Sequence, residues 1–243
     1  MNTSHELSLP GSFVKTASFA AIIQPAVLLI GLVVTAGASF IPSDAPGFFT
    51  LMNESPLMGF LMDDFFSVLL ITLYLFTFPA LFLILMKRHF TLSFYGALLS
   101  VIAVILTLSV HTGFSLLHLN GEYRTAVDDA MRSQVLAAGT AILAGNIWNS
   151  TAGFFAGVFL QGGGVLMSAA MIGSGRFRRL TIISGLLANG LDLMNHLSGH
   201  WLPALAKILL FIGGPFYIIW YVMLFLDLRC LYKNRGKPDV RSD

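Results

Sequence analysis

Three ionisable residues recur at intervals of four in the stretch NGLDLMNHLSGHW, residues 189–201: Asp192, His196 and His200. Residues four apart lie on the same face of an α-helix. Two histidines at that spacing can chelate one divalent ion, and a carboxylate one turn earlier can supply a third ligand. The spacing therefore predicts a metal site with these three residues as ligands and zinc as a candidate ion.

Other polar residues in neighbouring apolar segments extend this site into a predicted ligand pocket. Together with Asp192, its members are Asp63, Asp64, His111, Ser115, His118, Asn149 and Lys207. His111 or His118 could complete the metal ligands, with Ser115 as an orienting partner. Asp63 or Asp64 could act as the base that activates a metal-bound water. Two histidines from different helices could instead hold haem iron. A third interpretation is a hydrated vestibule in which the polar groups only satisfy one another.

The elements that carry these residues must lie in a membrane. Of 243 residues, 56% are hydrophobic and 11% are charged, whereas about 25% are charged in a soluble domain. The mean hydropathy is +0.80, and the apolar runs are long enough to cross a hydrocarbon core of roughly 30 Å. The lipid bilayer is therefore the expected partner. The net charge of +2 is too small to indicate nucleic-acid binding.

The apolar runs predict an all-α membrane protein with six transmembrane helices in a single domain, residues 1–243. The predicted spans are 17–40, 60–86, 92–117, 148–173, 180–200 and 203–228. Span three would carry His111, Ser115 and His118 on one face, and span five would carry Asp192 and His196. We expect Asp192 and His196 to face the interior of the helix bundle, because an acidic side chain that faces lipid near the middle of the membrane is costly. Residues 233–243 are expected to be a disordered tail. Gly153 and Gly157 predict close helix packing within the monomer, with homodimer contact as the lesser alternative.

The distribution of basic residues predicts the orientation. Eleven of the fourteen Lys and Arg residues fall on one side of the predicted spans: Lys15, Lys87, Arg88, Arg176, Arg178, Arg179, Arg229, Lys233, Arg235, Lys237 and Arg241. Positive residues mark the cytoplasmic side. Both termini are therefore predicted to be cytoplasmic, and the polar pocket to open outward.

The connection between spans three and four is too long and too apolar for a simple loop. Its apolar residues form a stripe at near i, i+4 spacing: Val127, Met131, Val135, Ala138 and Ile142. This pattern predicts an amphipathic helix on the outer face of the membrane. We expect that helix to occupy residues 124–143 and to cover part of the pocket.

Two stretches, residues 115–143 and 171–191, resemble an uncharacterised family of bacterial integral membrane proteins with a domain of unknown function. The shared pattern comprises Phe114 to Leu117, Tyr123, Ala126 to Ala130, Arg132 and Leu136 to Gly139. The second stretch, MIGSGRFRRLTIISGLLANGL, is similar to that family's loop between its fourth and fifth helices. The resemblance covers mainly residues 90–190. It implies a six-helix fold in the bacterial cytoplasmic membrane, and it implies no activity.

The residues leave two functional classes open. The first is a non-enzymatic membrane protein that binds a small ligand or ion in the outward-facing pocket, or that serves as a subunit of a membrane complex. The second is a metal-dependent membrane-embedded hydrolase acting on a lipid or amphiphile. The metal content of the purified protein discriminates between them.

Overall fold

A computed structural model describes residues 11–38, 42–199 and 201–234, apart from the side chains at 63 and 64. The described residues are helical and contain no strand, which confirms the all-α prediction for this part of the chain. The helices are α1 Gly11–Gly37, α2 Ala45–Glu54, α3 Pro56–Phe60, α4 Phe66–Thr72, α5 Tyr74–Ser109, α6 Gly113–Thr125, α7 Asp129–Ala144, α8 Thr151–Ala170, α9 Arg179–Ser198 and α10 Pro203–Lys233, with a π-helical segment, Leu61–Phe65, between α3 and α4. The tail was predicted to begin at Lys233, but Lys233 is the last residue of α10; the rest of the predicted tail, from 235 onward, lies outside the described residues.

Four helical stretches are long and apolar enough to cross a membrane: Gly11–Gly37, Phe66–Thr125, Thr151–Ala170 and Pro203–Lys233. They support a lipid bilayer as the environment of this chain. The second stretch has 60 residues, about 90 Å at 1.5 Å per residue, which is far longer than one crossing needs. Apart from the single turn residue Leu73 between α4 and α5, its backbone is interrupted at two places.

The first interruption is His89, whose φ of −132° and ψ of 59° are not helical and divide α5 into two helices. The second is the connection 110–112, which separates α5 from α6. The sequence predicted one unbroken helix over 92–117, and that prediction is wrong at this point. Val110 and Thr112 are β-branched and Gly113 follows them, so three weak helix formers flank His111.

Helix α2 lies between the first two predicted spans, 17–40 and 60–86, where no helix was predicted. The Asp44 carboxylate caps its N-terminus by accepting a hydrogen bond from the Gly47 N–H at 2.9 Å. Pro46 occupies the first turn, where its missing N–H costs nothing. The Asp-Ala-Pro sequence is a recognisable helix start, so this element could have been predicted.

The described chain divides into two compact units. The first is drawn from Met1–Pro25, Leu73–Val101 and Gln161–Asp243. Within it, α9 and α10 pack along their lengths, around fully buried aromatic side chains: Phe78, Trp220 and Tyr221. The hydroxyl groups of Tyr74 and Tyr221 are 2.5 Å apart in this core. The unit is therefore a helix bundle with polar groups inside it.

The second unit comprises Ala26–Thr72 and Ile102–Leu160. Its core brings together residues of α2, α6 and α7: Phe48, Phe49, Met52, Leu116 and Val135. Leu136, Ile142 and Leu143 of α7 pack against the same cluster. The predicted amphipathic segment 124–143 is thus helical from Asp129 onward, after a break at 126–128, and part of its apolar stripe is buried.

The first two residues of that stripe, Val127 and Met131, are exposed. Val127 is 89% exposed and Met131 is 38% exposed, whereas Val135 is 7% exposed. Asp128, between them in the chain, caps α7 by accepting a hydrogen bond from the Met131 N–H at 2.7 Å. The apolar side chains of Val127, just before α7, and of Met131, in its first turn, are therefore left on the surface of the protein.

Candidate functional site

The most deeply buried of the predicted site residues is Asp192, on α9 in the first unit, which is 8% exposed. Its Oδ2 accepts a hydrogen bond from the Tyr217 hydroxyl at 3.0 Å. Its Oδ1 accepts one from the Asn195 amide at 2.9 Å and lies 3.5 Å from Nδ1 of His196. A carboxylate in an apolar environment is stable only when it is paired in this way. Asp192 is thus buried against protein, as the sequence analysis predicted.

Helix α9 positions Asp192 and His196 on one face because they are four residues apart. Nδ1 of His196 is also 3.0 Å from the Asp192 carbonyl oxygen, so the ring is oriented by one residue through two contacts. The His196 side chain is 22% exposed, and that of Asp192 is 11% exposed. The imidazole therefore lies between the buried carboxylate and the protein surface.

Tyr217 joins Asp192 to a third helix. Its hydroxyl is 2.5 Å from Oε1 of Gln161 on α8, as well as 3.0 Å from Oδ2 of Asp192. A hydroxyl has one proton, and both of these oxygens are acceptors. The Tyr217 proton can serve only one of them, so the other oxygen–oxygen contact needs a second proton. We call Gln161, Asp192, Asn195, His196 and Tyr217 the Asp192 network.

Two arrangements of protons complete the network without moving a heavy atom far. In one, a protonated Asp192 donates to Tyr217, which donates to Oε1 of Gln161. In the other, Tyr217 donates to an ionised Asp192, and a rotated Gln161 amide donates its NH₂ group to Tyr217. The two arrangements differ by one proton on Asp192. Chemically, the network can therefore hold or release a proton.

Glycines let α8 and α10 approach α9 closely next to this network. A Cβ on Gly164 would meet Oδ1 of Asn189 at 2.0 Å. A Cβ on Gly185 would lie 2.4 Å from Oγ of Ser168 and 2.6 Å from Nε1 of Trp220. Asn189, Ser168 and Trp220 are all fully buried. The polar face of α9 thus continues away from Asp192 toward the start of that helix.

A second buried carboxylate, Asp227 of α10, lies at that start and was not among the predicted site residues. It is 3% exposed. Its Oδ2 accepts hydrogen bonds from the Thr181 hydroxyl at 2.6 Å and the Arg178 N–H at 3.0 Å, and its Oδ1 lies 3.3 Å from Nε of Arg178. Asp227 therefore caps the N-terminus of α9 from a neighbouring helix.

The second unit contains six of the other predicted residues, and three of them lie elsewhere than the sequence predicted. His111 lies in the connection 110–112 and not on a helix; its ring is 6.3 Å from that of Phe60. Ser115 and His118 are exposed on α6, whose buried residues are Gly113, Leu116 and Asn120. Nε2 of His118 is 3.5 Å from Oε1 of Glu122. The predicted common face of His111, Ser115 and His118 is not formed, because the helix breaks between the first residue and the other two.

The remaining predicted residues are scattered over the described chain. Asn149, in the turn after α7, donates through its amide to the Leu143 carbonyl at 3.3 Å. Lys207 is exposed on α10. Asp63 and Asp64 lie in the π-helical segment, but their side chains are outside the described part, as is the whole of His200. Among the described side chains of this predicted set, Asp192 and His196 contact each other.

The metal prediction is not supported by the residues that can be placed. Within 11–38, 42–199 and 201–234, no three His, Cys, Asp or Glu side chains form a group that could hold an ion. Asp192 and His196 could supply two ligands, and the third predicted ligand, His200, lies outside these ranges. Zinc and haem binding stay predictions.

Sequence reasoning missed Asp227, Gln161 and Tyr217. Asp227 could have been found, since it is the single acidic residue of the run 203–233. Gln161 is likewise the single glutamine of the run 148–173. Tyr217 carries no such signal, because tyrosine is common in membrane helices and no spacing relates it to Asp192.

The chain matches no protein-family model, no curated protein and no solved structure.

Proposed function

We propose that this chain is a non-enzymatic integral membrane protein that takes up and releases a proton at the Asp192 network. The observation that carries the proposal is the position of the Tyr217 hydroxyl between two acceptor oxygens, Oε1 of Gln161 and Oδ2 of Asp192. One more proton on Asp192 completes this chain of hydrogen bonds. His196 is the natural exchange partner, because imidazole gains and loses protons near neutral pH and its ring is partly exposed.

We also propose that the chain crosses the membrane six times. The four long apolar stretches become five when the two parts of α5, divided at His89, are counted separately, and α9 is the sixth. Helix α9 has 20 residues, about 30 Å, which matches the hydrocarbon core. Its polar face lowers its hydropathy, yet that face is buried against protein. The proposed location is the bacterial inner membrane with both termini in the cytoplasm.

Contacts among the predicted cytoplasmic connections support this orientation. Nη1 of Arg176, after α8, donates to the carbonyl of Ile84 at 2.8 Å. Gly173 and Gly175 have φ values of 67° and 68°, which form the tight turn that precedes Arg176. A Cβ on Gly173 would lie 3.5 Å from Nη2 of Arg88. Basic residues from two predicted cytoplasmic connections are thus neighbours, as expected if both connections face the same side.

The proposal is tested by infrared spectroscopy of the purified protein in lipid as the pH is lowered. We expect the carbonyl band of one buried protonated carboxylic acid, distinct from the bands of exposed carboxyl groups, to appear in the wild type and to be missing from Asp192→Asn. The matched control is Asp227→Asn, which removes another buried carboxylate and should leave that band in place. A band that persists unchanged in Asp192→Asn would contradict the proposal.

Elemental analysis of the same preparations tests the alternative, a metal-dependent hydrolase. About one equivalent of zinc in the wild type, lost in His196→Ala, would favour a metal site. The proton-binding proposal predicts that neither preparation carries a stoichiometric metal.

A further inference from the structure

The second unit contains a cavity whose lining includes no residue of the Asp192 network. It lies between the start of α2, the last turn of α7 and the turn 145–150, and its volume is about 440 Å³. Small-molecule sites are usually about 300–1,000 Å³. The cavity is therefore large enough for a small organic ligand.

The lining of this cavity combines apolar and polar sides. Phe48 and Leu143 contribute apolar surface from α2 and α7, and Asn146 and Asn149 contribute amide groups. Asp44 is the one ionisable residue among the described lining residues, which include no Lys, Arg or His. The cavity thus offers an apolar wall together with a single negative charge.

The polar side is built by a rigid turn. Oδ1 of Asn146 accepts hydrogen bonds from the N–H groups of Trp148 at 3.0 Å and Asn149 at 3.1 Å. A Cβ on Gly153 would meet the Ile147 carbonyl oxygen at 1.9 Å, so only glycine allows the turn to fold back against the start of α8. These contacts hold Trp148 at the cavity, where the residue is 59% exposed.

We propose that this cavity binds an amphiphile whose head carries an organic ammonium group. The alkyl chain lies against Phe48 and Leu143, and the ammonium group is attracted by the Asp44 carboxylate. Trp148, which also lines the cavity, presents an aromatic ring of the kind that binds quaternary ammonium groups. An anionic head is disfavoured, because it would meet Asp44 with no basic lining residue to compensate.

Asp44 allows a clean test, because its charge and its capping role can be separated. Asparagine caps a helix about as well as aspartate, so Asp44→Asn removes the charge and keeps the hydrogen bond to Gly47. Asp128→Asn is the matched control: Asp128 caps α7 in the same way and is not among the residues that line the cavity.

The experiment measures binding of hexyltrimethylammonium and hexyl sulfate to the full chain in lipid nanodiscs by saturation-transfer NMR. We expect the ammonium probe to bind the wild type and Asp128→Asn equally, and Asp44→Asn about two- to fivefold more weakly. We expect no saturable binding of hexyl sulfate. Equal binding of both probes, equal affinity of the ammonium probe for Asp44→Asn, or no binding to the wild type would each overturn the proposal.

Discussion

Asp227 of α10 contacts the first turn of α9 through Thr181: Oδ2 of the carboxylate accepts a hydrogen bond from the threonine hydroxyl at an oxygen–oxygen distance of 2.6 Å. The same oxygen accepts the Arg178 N–H. A helix N-terminus has backbone N–H groups without partners within the helix, and its dipole favours a negative charge. The Asp227 carboxylate therefore accepts hydrogen bonds at this helix terminus and places a negative charge there. It also connects the start of α9 to the last turns of α10.

The first prediction is that Asp227→Ala lowers the free energy of unfolding by about 1–3 kcal/mol, because it leaves buried donors unpaired. Thr181→Val removes one hydrogen bond and should cost less, about 1 kcal/mol. Chemical denaturation in mixed micelles measures both. Asp129→Ala is the control, since the Asp129 side chain is fully exposed and its loss should lower stability much less than the loss of Asp227. An Asp227→Ala protein as stable as this control would show that the contact does not stabilise the fold.

The second prediction concerns the close approach of α8 and α9. Gly164→Ala should destabilise the protein by about 1–3 kcal/mol, because the new Cβ would overlap the side-chain amide of Asn189. Gly162 is on the same helix and has nothing within 4 Å of its Cβ position. Gly162→Ala should therefore be neutral or slightly stabilising.

A second substitution identifies the cause of that loss. Adding Asn189→Ala to Gly164→Ala removes the side chain that the new Cβ overlaps, and should restore part of the lost stability. Thermal denaturation of the four proteins, including Asn189→Ala alone, completes the double-mutant cycle. Additive effects of the two substitutions would rule out a steric clash between them.

The third prediction places α7 at the membrane surface. In a Cys230→Ser background, which removes the exposed native cysteine, Arg132→Cys should react with a water-soluble maleimide. Met131→Cys should react with a maleimide that partitions into the bilayer, because this exposed apolar position is proposed to face lipid. Val135→Cys should react slowly with both reagents, since Val135 is buried in the core of the second unit. Reaction of Met131→Cys with the water-soluble reagent at the rate of Arg132→Cys would argue that this face of α7 is in water.

The fourth prediction concerns orientation. Alkaline phosphatase, which is active only outside the cytoplasm, should be inactive when fused after Lys233 and active when fused after Asp128. The reason is the excess of basic residues on the predicted cytoplasmic side. Activity assays on cells, with immunoblots to confirm equal amounts of each fusion, measure the outcome. The opposite pattern would contradict the proposed topology.

Local sequence patterns were enough for several elements. Helices α8 and α9 begin and end close to the predicted spans, because apolar runs bounded by glycine and basic residues mark helices clearly. The sequence also identified Asp192 as buried, since a carboxylate facing lipid near the middle of a helix is costly. By contrast, the break at 110–112 was missed. Most residues of the run 101–117 are apolar. Hydropathy does not reveal a local change of backbone conformation within such a run.

The sequence by itself determined the all-helical class, the membrane environment and the residue pair Asp192 and His196, because these depend on composition and on spacing within one helix. Only the tertiary structure decided that Asp192 contacts Tyr217 and, through it, Gln161, and that Asp227 caps α9. The physical reason is that a lipid-facing surface and a protein-facing surface are equally apolar in a membrane protein. Hydrophobic periodicity therefore does not show which faces of α8, α9 and α10 meet, and the partners of each buried polar group follow from that packing alone.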